Sequence, residues 1–180
     1  MAVDWAAVRA DFPVLRREID GEPIVYLDSG NTSQKPRQVI EAMDDFLRTG
    51  YAPINRSAYR LAGEATDRFE GARSAVARLI NAPQADEVVF TKNATEALNL
   101  VASSWGGANL REGDAVVLTH MEHHANIVPW HMLAERLGIE LRWVPLTDDG
   151  QLDLTDLDRL LEGAKAFSFT SMSNVLGTLT

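Results

Sequence analysis

The sequence contains no cysteine. This absence excludes disulfide bonds, thiolate metal ligands and a cysteine nucleophile within the chain. Basic residues are also in deficit, since 17 Lys and Arg stand against 26 Asp and Glu, for a formal net charge of -9. A protein that binds nucleic acid needs a basic surface to neutralise phosphates, so we do not expect nucleic acid as a partner.

Long apolar runs are missing as well. No run reaches the length of a membrane-spanning helix, and Asp4, Arg9 and Asp11 interrupt the apolar residues of the first segment. We therefore expect no membrane partner, no signal peptide and a cytoplasmic location. The hydrophobic content of 46% and the charged content of 24% are typical of a globular protein with a real core.

The stretch Glu87–Val101 carries the clearest pattern. A β-rich apolar run, Glu87–Thr91, meets a turn that opens into a strong helix former. Asn93 and Glu96 have the spacing of a capping box, in which each side chain accepts a hydrogen bond from an amide of the first helical turn. The remaining amides, the helix dipole and the Thr95 hydroxyl predict a seat for a phosphate or carboxylate.

Strand and helix patterns alternate along most of the chain. The predicted strands are Pro23–Leu27, Glu87–Thr91, Ala115–Thr119, Glu140–Val144 and Ala166–Thr170. The sequence predicts a helix capped by Asp4, one that begins at Pro36, one with an apolar stripe from Ala65 to Ile80, and one that follows the Asn93 cap. Two more helices are predicted at Pro129–Leu137, closed by Gly138, and at Thr155–Leu161. This alternation predicts an α/β fold with a doubly wound, mostly parallel sheet. Residues 1–22 form a lead-in segment, and residues 23–180 form the first part of an α/β domain.

Ligands of such sheets bind beyond the carboxyl ends of the strands. The loops at these ends hold most of the unusual polar residues: Asp28–Thr32, Asn93–Glu96, His120–Asn126 and Ser171–Asn174. We expect the four loops to converge on one site.

The run His120–His124 has three interpretations. A zinc site is disfavoured, because the spacing matches neither orientation of the helical zinc-protease motif and a zinc deaminase needs a cysteine pair. We expect no metal. The two interpretations left open are a solvated polar loop and an imidazole that lies flat against an aromatic cofactor.

Lys92 adjoins the predicted anion seat and is therefore a candidate Schiff-base amine. A lysine at a strand end is more often a solvated charge, and Lys35 and Lys165 are no better placed, so we favour none of the three. Asn174 is either a turn-forming residue after a strand or a hydrogen-bond donor to a ring oxygen.

Several motifs together resemble the cysteine desulfurases of the SUF type, within the class V aminotransferase group of fold-type I pyridoxal-phosphate enzymes. They are Tyr26–Ser29, Gln34–Pro36, Thr91–Val101, Met121–Trp130 and Ser173–Thr178. The resemblance implies that Ala94 and Thr95 hold the phosphate of pyridoxal 5'-phosphate, that His123 stacks on its ring as the catalytic residue present here, and that Asn174 bonds its phenolic oxygen.

The resemblance also implies a function. Such an enzyme converts L-cysteine to L-alanine and passes the sulfur to an enzyme persulfide for iron–sulfur cluster assembly, as a homodimer with a sulfur-acceptor protein. The Schiff-base lysine and the persulfide cysteine of the family are expected beyond Thr180. The chain is therefore interpreted as an N-terminal fragment, with an incomplete domain that is inactive and prone to associate when isolated.

The chain departs from the family pattern at Asn31, Asn55, Ser57, Tyr59 and Ser171. These positions bear on the substrate, because reaction choice in such enzymes depends on groups around the ring. The alternatives are a selenocysteine lyase, a sulfinate desulfinase or an amino-acid epimerase of the same group, and a non-catalytic scaffold of the same fold.

Overall fold

The structure is a computed structural model that describes residues 2–55 and 57–180. The chain forms two compact units, Met1–Val89 and Phe90–Thr180. The predicted assignment of residues 1–22 to a lead-in segment and of residues 23–180 to one domain is a different division, and it stays a prediction.

The first unit is mainly helical. Its elements are helix α1 (Trp5–Ala10), a 3-10 turn (Pro13–Arg16), strands β1 (Glu18–Ile19) and β2 (Glu22–Pro23), helix α2 (Arg37–Asp45) with a π-helical turn (Phe46–Gly50), helix α3 (Arg60–Leu79) and a 3-10 turn (Ala85–Glu87). The strands β1 and β2 pair antiparallel. The predicted cap of α1 is confirmed, because the Asp4 carboxylate accepts hydrogen bonds from the amides of Ala6 and Ala7, both at 3.1 Å.

The stretch Tyr51–Tyr59 has no clear period and contains Pro53, so the sequence predicts an ordered loop there; Arg56 of this loop lies outside the described residues. The described part of this loop has no helix or strand, and the Asn55 amide donates to the Thr66 hydroxyl of α3 at 3.0 Å. Apolar residues at helical spacing from Ala65 to Ile80 predict one buried face for this helix. Ala65 is buried as predicted, whereas Leu79, the last residue of α3, and Ile80, which follows it, are exposed.

Two predicted strands are wrong. Of Pro23–Leu27 only Pro23 belongs to a strand, and Val25 and Leu27 are 76% and 90% exposed. The run Glu87–Thr91 leaves a 3-10 turn and continues without strand pairing. A β-strand is stabilised by hydrogen bonds to a neighbouring strand, and among the described residues neither Ile24–Leu27 nor Glu87–Thr91 is paired with a strand. Residues that favour strands are present in both runs, but this preference alone does not form a strand.

The second unit has the alternating pattern that the sequence predicts. Its elements are helix α4 (Ala94–Val101), a π-helical turn (Ala102–Gly106), helix α5 (Gly107–Asn109), strand β3 (Ala115–Thr119), a 3-10 turn (His124–Asn126), helix α6 (Val128–Leu137), strand β4 (Glu140–Val144), helix α7 (Leu157–Leu161) and strand β5 (Ala164–Phe167). The three strands are parallel in the order β4-β3-β5. Strands β3 and β4 match the predicted bounds, whereas β5 begins and ends earlier than predicted.

Helices cover both faces of this sheet. On one face Val116 and Leu118 pack against Trp130 and Leu133 of α6. On the other face Val117 packs with Leu160 of α7. Every residue of β3 is buried, and each buried valine or leucine contributes about 1.5–3 kcal/mol to folding. The predicted doubly wound arrangement is therefore confirmed around β3.

Helix α6 ends where the sequence predicts. Gly138 adopts a left-handed conformation with φ of 73°, and its amide donates to the Ala134 carbonyl at 2.8 Å. Glycine adopts this conformation without a steric penalty, so it terminates the helix and directs the chain into β4. In residues 2–55 and 57–180, no helix is both long and apolar enough to cross a membrane.

Candidate functional site

The first turn of α4 has the predicted capping residues with one difference. The Asn93 side-chain oxygen accepts from the Glu96 amide at 2.9 Å, as in a capping box. The Glu96 carboxylate reaches back to the Lys92 amide at 2.6 Å, one residue before the expected Asn93. The Ala97 amide donates to the Asn93 carbonyl at 3.2 Å. These contacts are all local, and they fix the turn in which Ala94 and Thr95 lie.

Two amides remain available at this helix end. Among residues 2–55 and 57–180, no acceptor bonds the amides of Ala94 and Thr95, and the Thr95 side chain is exposed. These amides and the hydroxyl are hydrogen-bond donors at the positive end of the helix dipole, and an anionic group is stabilised there. The donor set therefore fits a phosphate.

Lys92 beside this turn is a solvated charge. Its side chain is 84% exposed, and its amine lies 3.8 Å from the Glu96 carboxylate. Exposed ion pairs of this kind contribute little to stability. The position agrees with the expectation that Lys92 is not the Schiff-base amine.

The imidazoles of the loop after β3 have different neighbours. The His123 Nδ1 accepts from the Ala125 amide at 3.0 Å, so His123 caps the 3-10 turn and leaves Nε2 at its exposed edge. The ring of His124 lies 6.3 Å from that of His123, and the ring of His120 lies 5.5 Å from that of Trp143. In the part of the chain that the structure describes, no group of three or more metal-ligating side chains is present.

Glu122 joins three elements that sequence reasoning did not connect. One carboxylate oxygen accepts from the Thr119 hydroxyl at 2.6 Å and from the Thr170 amide at 2.9 Å. The other oxygen accepts from the Asn126 side-chain nitrogen at 2.7 Å. The carboxylate thus connects the end of β3, the 3-10 turn and the segment after β5.

Asn126 extends this network into the core. Its side-chain oxygen accepts from the Trp130 indole nitrogen at 3.2 Å and from the Ser168 hydroxyl at 2.8 Å. Asn126 is buried, so these partners replace the water that the amide loses on folding. The network explains the early end of β5, since the Thr170 amide bonds Glu122 instead of continuing the strand ladder.

The sequence contained only a faint signal for this network. Glu122 and Asn126 are four positions apart in sequence, and His123 lies between them. Their partners Thr170 and Ser168 are 48 and 42 residues away in sequence, so no local pattern identifies them.

Asn174 lies in a hairpin after β5. The buried Ser173 hydroxyl accepts from the amides of Val175 at 3.3 Å and Leu176 at 3.1 Å, and a bridge joins Met172 to Leu179. These bonds define the backbone around Asn174, whose own side chain is exposed.

The second unit brings the elements of three predicted loops together. Helix α4 packs against the 3-10 turn His124–Asn126, and Glu122 connects the loop of His123 to the segment that leads to Asn174. The roles assigned to Ala94, Thr95, His123 and Asn174 stay predictions. The fourth loop, Asp28–Thr32, belongs to the first unit, and its convergence with the others also stays a prediction.

The perturbed acids of this unit lie in other places. A hydrogen bond from Arg142 lowers the pKa of Glu140. Glu140 is the first residue of β4, so it lies at the opposite end of the strand from the loops. Hydrogen bonds from the Thr155 hydroxyl and amide lower the pKa of Asp153. The lowered pKa of each acid is therefore explained by a residue two positions away in sequence.

Several known proteins are similar to this chain in sequence. The model of the aminotransferase class-V family matches residues 25–180. A cysteine desulfurase from Enterobacter sp. (strain 638) is 54% identical over 172 residues, which are 95% of this chain and 42% of that protein. A cysteine desulfurase from Escherichia coli (strain K12 / DH10B) is 51% identical over 172 residues, again 95% of this chain and 42% of that protein. The chain therefore spans less than half the length of these relatives.

Solved structures share the fold. The apo structure of a cysteine desulfurase from Thermococcus onnurineus NA1 matches with a TM-score of 0.88 at 37% identity, over 99% of this chain and 42% of that one. The cysteine desulfurase CsdA from Escherichia coli matches with a TM-score of 0.82 at 36% identity, over 99% and 44%. The resemblance found in the motifs is confirmed, and this chain belongs to the aminotransferase class-V family.

Proposed function

We propose that this chain is the cofactor-binding part of a pyridoxal-phosphate-dependent cysteine desulfurase. The observation that carries the proposal is the first turn of α4, where two amides and the Thr95 hydroxyl are available to an anion in a class V chain. Relatives at 51–54% identity are named cysteine desulfurases, which favours this activity over the selenocysteine lyase, desulfinase and epimerase alternatives.

Each predicted residue has a distinct role in this proposal. Ala94 and Thr95 donate hydrogen bonds to the cofactor phosphate, and the helix dipole stabilises its charge. His123 presents its ring face to the pyridine ring, because Nδ1 is fixed by the Ala125 amide. Asn174 donates to the phenolic oxygen. The bound cofactor supplies an electron sink for the substrate carbon, and the protein supplies orientation.

The proposed activity requires a sulfur-accepting thiolate, which this chain does not contain. A sulfur-accepting thiolate cannot come from a sequence without cysteine, so the persulfide is formed on a residue outside this chain. We propose that the Schiff-base lysine lies outside it too, and that the isolated chain does not release sulfide from cysteine.

Assembly and location follow the same reasoning. We propose a homodimer that delivers sulfur to an acceptor protein of SUF-type iron–sulfur cluster assembly in the cytoplasm. The exposed apolar side chains support burial by further chain or by a partner, since exposed patches of this kind mark interaction surfaces. On α2 and its π-helical turn they include Ile40, Met43 and Leu47.

The phosphate seat is tested with pyridoxine 5'-phosphate, which has no aldehyde and cannot react with surface lysines. The chain should bind it in equilibrium dialysis more tightly than pyridoxine. Thr95→Val should weaken its binding about tenfold, because a hydrogen bond to a charged group contributes about 1.5 kcal/mol.

Two comparisons make this test specific. Thr95→Ser keeps the hydroxyl and should bind nearly as the wild type does, and none of the three proteins should differ in affinity for pyridoxine. Equal affinity of the wild-type chain for the phosphorylated and the unphosphorylated compound would contradict the proposed site.

A further inference from the structure

Glu122 is the part of the second unit that the proposed cofactor contacts leave unexplained. It follows the strand that ends at Thr119 and precedes His123, yet its carboxylate turns back to the sheet. Its three hydrogen-bond donors come from β3, from the 3-10 turn and from the segment after β5. Few side chains of the unit join as many separate elements.

We propose that Glu122 is a positioning residue that fixes the His123 loop to the carboxyl ends of β3 and β5. The inference rests on the proposed function, because it assigns to Glu122 the task of holding His123 where the cofactor ring binds. Glu122 itself does not contact the cofactor, since its two oxygens are directed at Thr119, Thr170 and Asn126.

Both oxygens of the Glu122 carboxylate must act as hydrogen-bond acceptors. The Thr170 amide and the Asn126 side-chain nitrogen are donors that cannot accept, and they bond different oxygens of Glu122. A glutamine at this position has one oxygen and one NH2 group. In either orientation, its NH2 group would face a donor, so one of the two bonds must be lost.

The network also determines where His123 lies. Asn126 ends the 3-10 turn that His123 caps through its bond to the Ala125 amide. Glu122 and Asn126 therefore hold the turn at both sides of His123, and Trp130 and Ser168 anchor Asn126 to the core. A loop supported by buried side-chain bonds loses less entropy when a ligand binds than a loop that must first be ordered.

The loop of Asn174 is held by the same carboxylate. The Thr170 amide that bonds Glu122 lies just before the hairpin of Ser173 and Asn174. The residue thus orients two of the three elements that the proposed site requires. A substitution at Glu122 should disturb both elements, whereas a change in His123 itself should disturb only one.

The first test is amide hydrogen exchange in the 180-residue chain. Glu122→Gln should speed exchange in peptides that contain Ala125 and Thr170, and the peptide that contains Asn93–Glu96 should be unchanged. The matched control is Glu135→Gln, which makes the same chemical change at an exposed position of α6. Unchanged exchange at Ala125 and Thr170 in Glu122→Gln would overturn the inference, whatever the chain binds.

The second test is a double-mutant cycle with pyridoxine 5'-phosphate. Glu122→Gln should weaken binding about tenfold in the wild-type background, as loss of a supporting partner of a binding residue commonly does. In a His123→Ala background the same change should weaken binding by a smaller factor, because the part of its effect that passes through His123 is already lost and only the part that passes through the Asn174 loop remains. Equal effects in the two backgrounds would overturn the inference.

The two tests separate the inference from the proposed function. If the wild-type chain shows no preference for the phosphorylated compound, the proposed function fails. Faster exchange at Ala125 and Thr170 in Glu122→Gln alone would then still support the positioning role. If the preference is present and the cycle is additive, the proposed function stands and the inference fails.

Discussion

The His123 loop and the first turn of α4 are held in place in opposite ways. The loop is connected to the rest of its unit by side-chain bonds between residues 42 and 48 positions apart in sequence. The turn of α4 is held by bonds between residues three or four positions apart. Both belong to the proposed cofactor site, but the side-chain bonds of the loop reach residues distant in sequence and those of the α4 turn are local.

The two regions therefore differ in which part of the sequence determines their structure. A phosphate seat needs only backbone amides and a helix dipole, which local sequence supplies. A ring-stacking imidazole needs a defined plane and height above the sheet, which local sequence cannot supply. Long-range bonds should therefore be costly to break and local ones less so.

The largest expected effect comes from Asn126→Asp. This change replaces the donor that faces the Glu122 carboxylate at 2.7 Å with a second carboxylate. We expect a loss of about 3 kcal/mol in the free energy of unfolding at neutral pH, because a buried network is broken and two like charges are brought together. Urea denaturation measures it.

The control for this prediction is Asn99→Asp. Asn99 makes one local bond within α4, to the Thr95 carbonyl at 2.8 Å, and its side chain is exposed. The same chemical change there should cost less than about 1 kcal/mol. Equal losses at Asn126 and Asn99 would show that the long-range network does not hold the loop.

An intermediate effect is expected from Asn93→Ala. Loss of the side-chain oxygen that caps α4 should lower the free energy of unfolding by about 1 kcal/mol, as at other helix N-caps. Hydrogen exchange should increase at Glu96 and stay unchanged in the His123 loop. Asn93→Ser retains a capping oxygen and should recover most of the stability, and faster exchange in the His123 loop would contradict the independence of the two regions.

The smallest effect is expected at Glu140, outside both regions. Its pKa is lowered in the folded chain by the Arg142 hydrogen bond, so the pair stabilises the fold above the unfolded pKa and loses this contribution as pH falls through the folded pKa. Glu140→Gln should therefore be slightly less stable than the wild type at about pH 7, and the difference should shrink as the pH falls through the folded pKa. Denaturant midpoints across this range provide the check, and a difference that grows toward low pH would contradict it.

The sequence predicts those parts of the fold that local patterns determine. The bounds of β3 and β4, the Gly138 terminus of α6 and the Asn93 cap are all confirmed, because each depends on residues within a few positions. The family was likewise predictable, since its motifs lie throughout residues 25–180, which the family model matches.

Other features depend on residues that are distant in sequence. The early end of β5 follows from the bond between Thr170 and Glu122, which no periodicity predicts. The strand expected at Pro23–Leu27 is paired only at Pro23, and among the described residues no strand pairs with residues 24–27. Within the candidate site, the side chains expected to meet a ligand stay predictions, and the sequence did not predict the network that holds the His123 loop.

In the proposed function the α4 turn, the His123 loop and the Asn174 hairpin form one site. Hydrogen exchange of the 180-residue chain with and without pyridoxine 5'-phosphate is the measurement that tests this. The ligand should slow exchange in the peptides of Asn93–Glu96, His120–Asn126 and Ser171–Asn174 together, with one affinity. Protection limited to one of these peptides, or protection equally produced by pyridoxine, would contradict it.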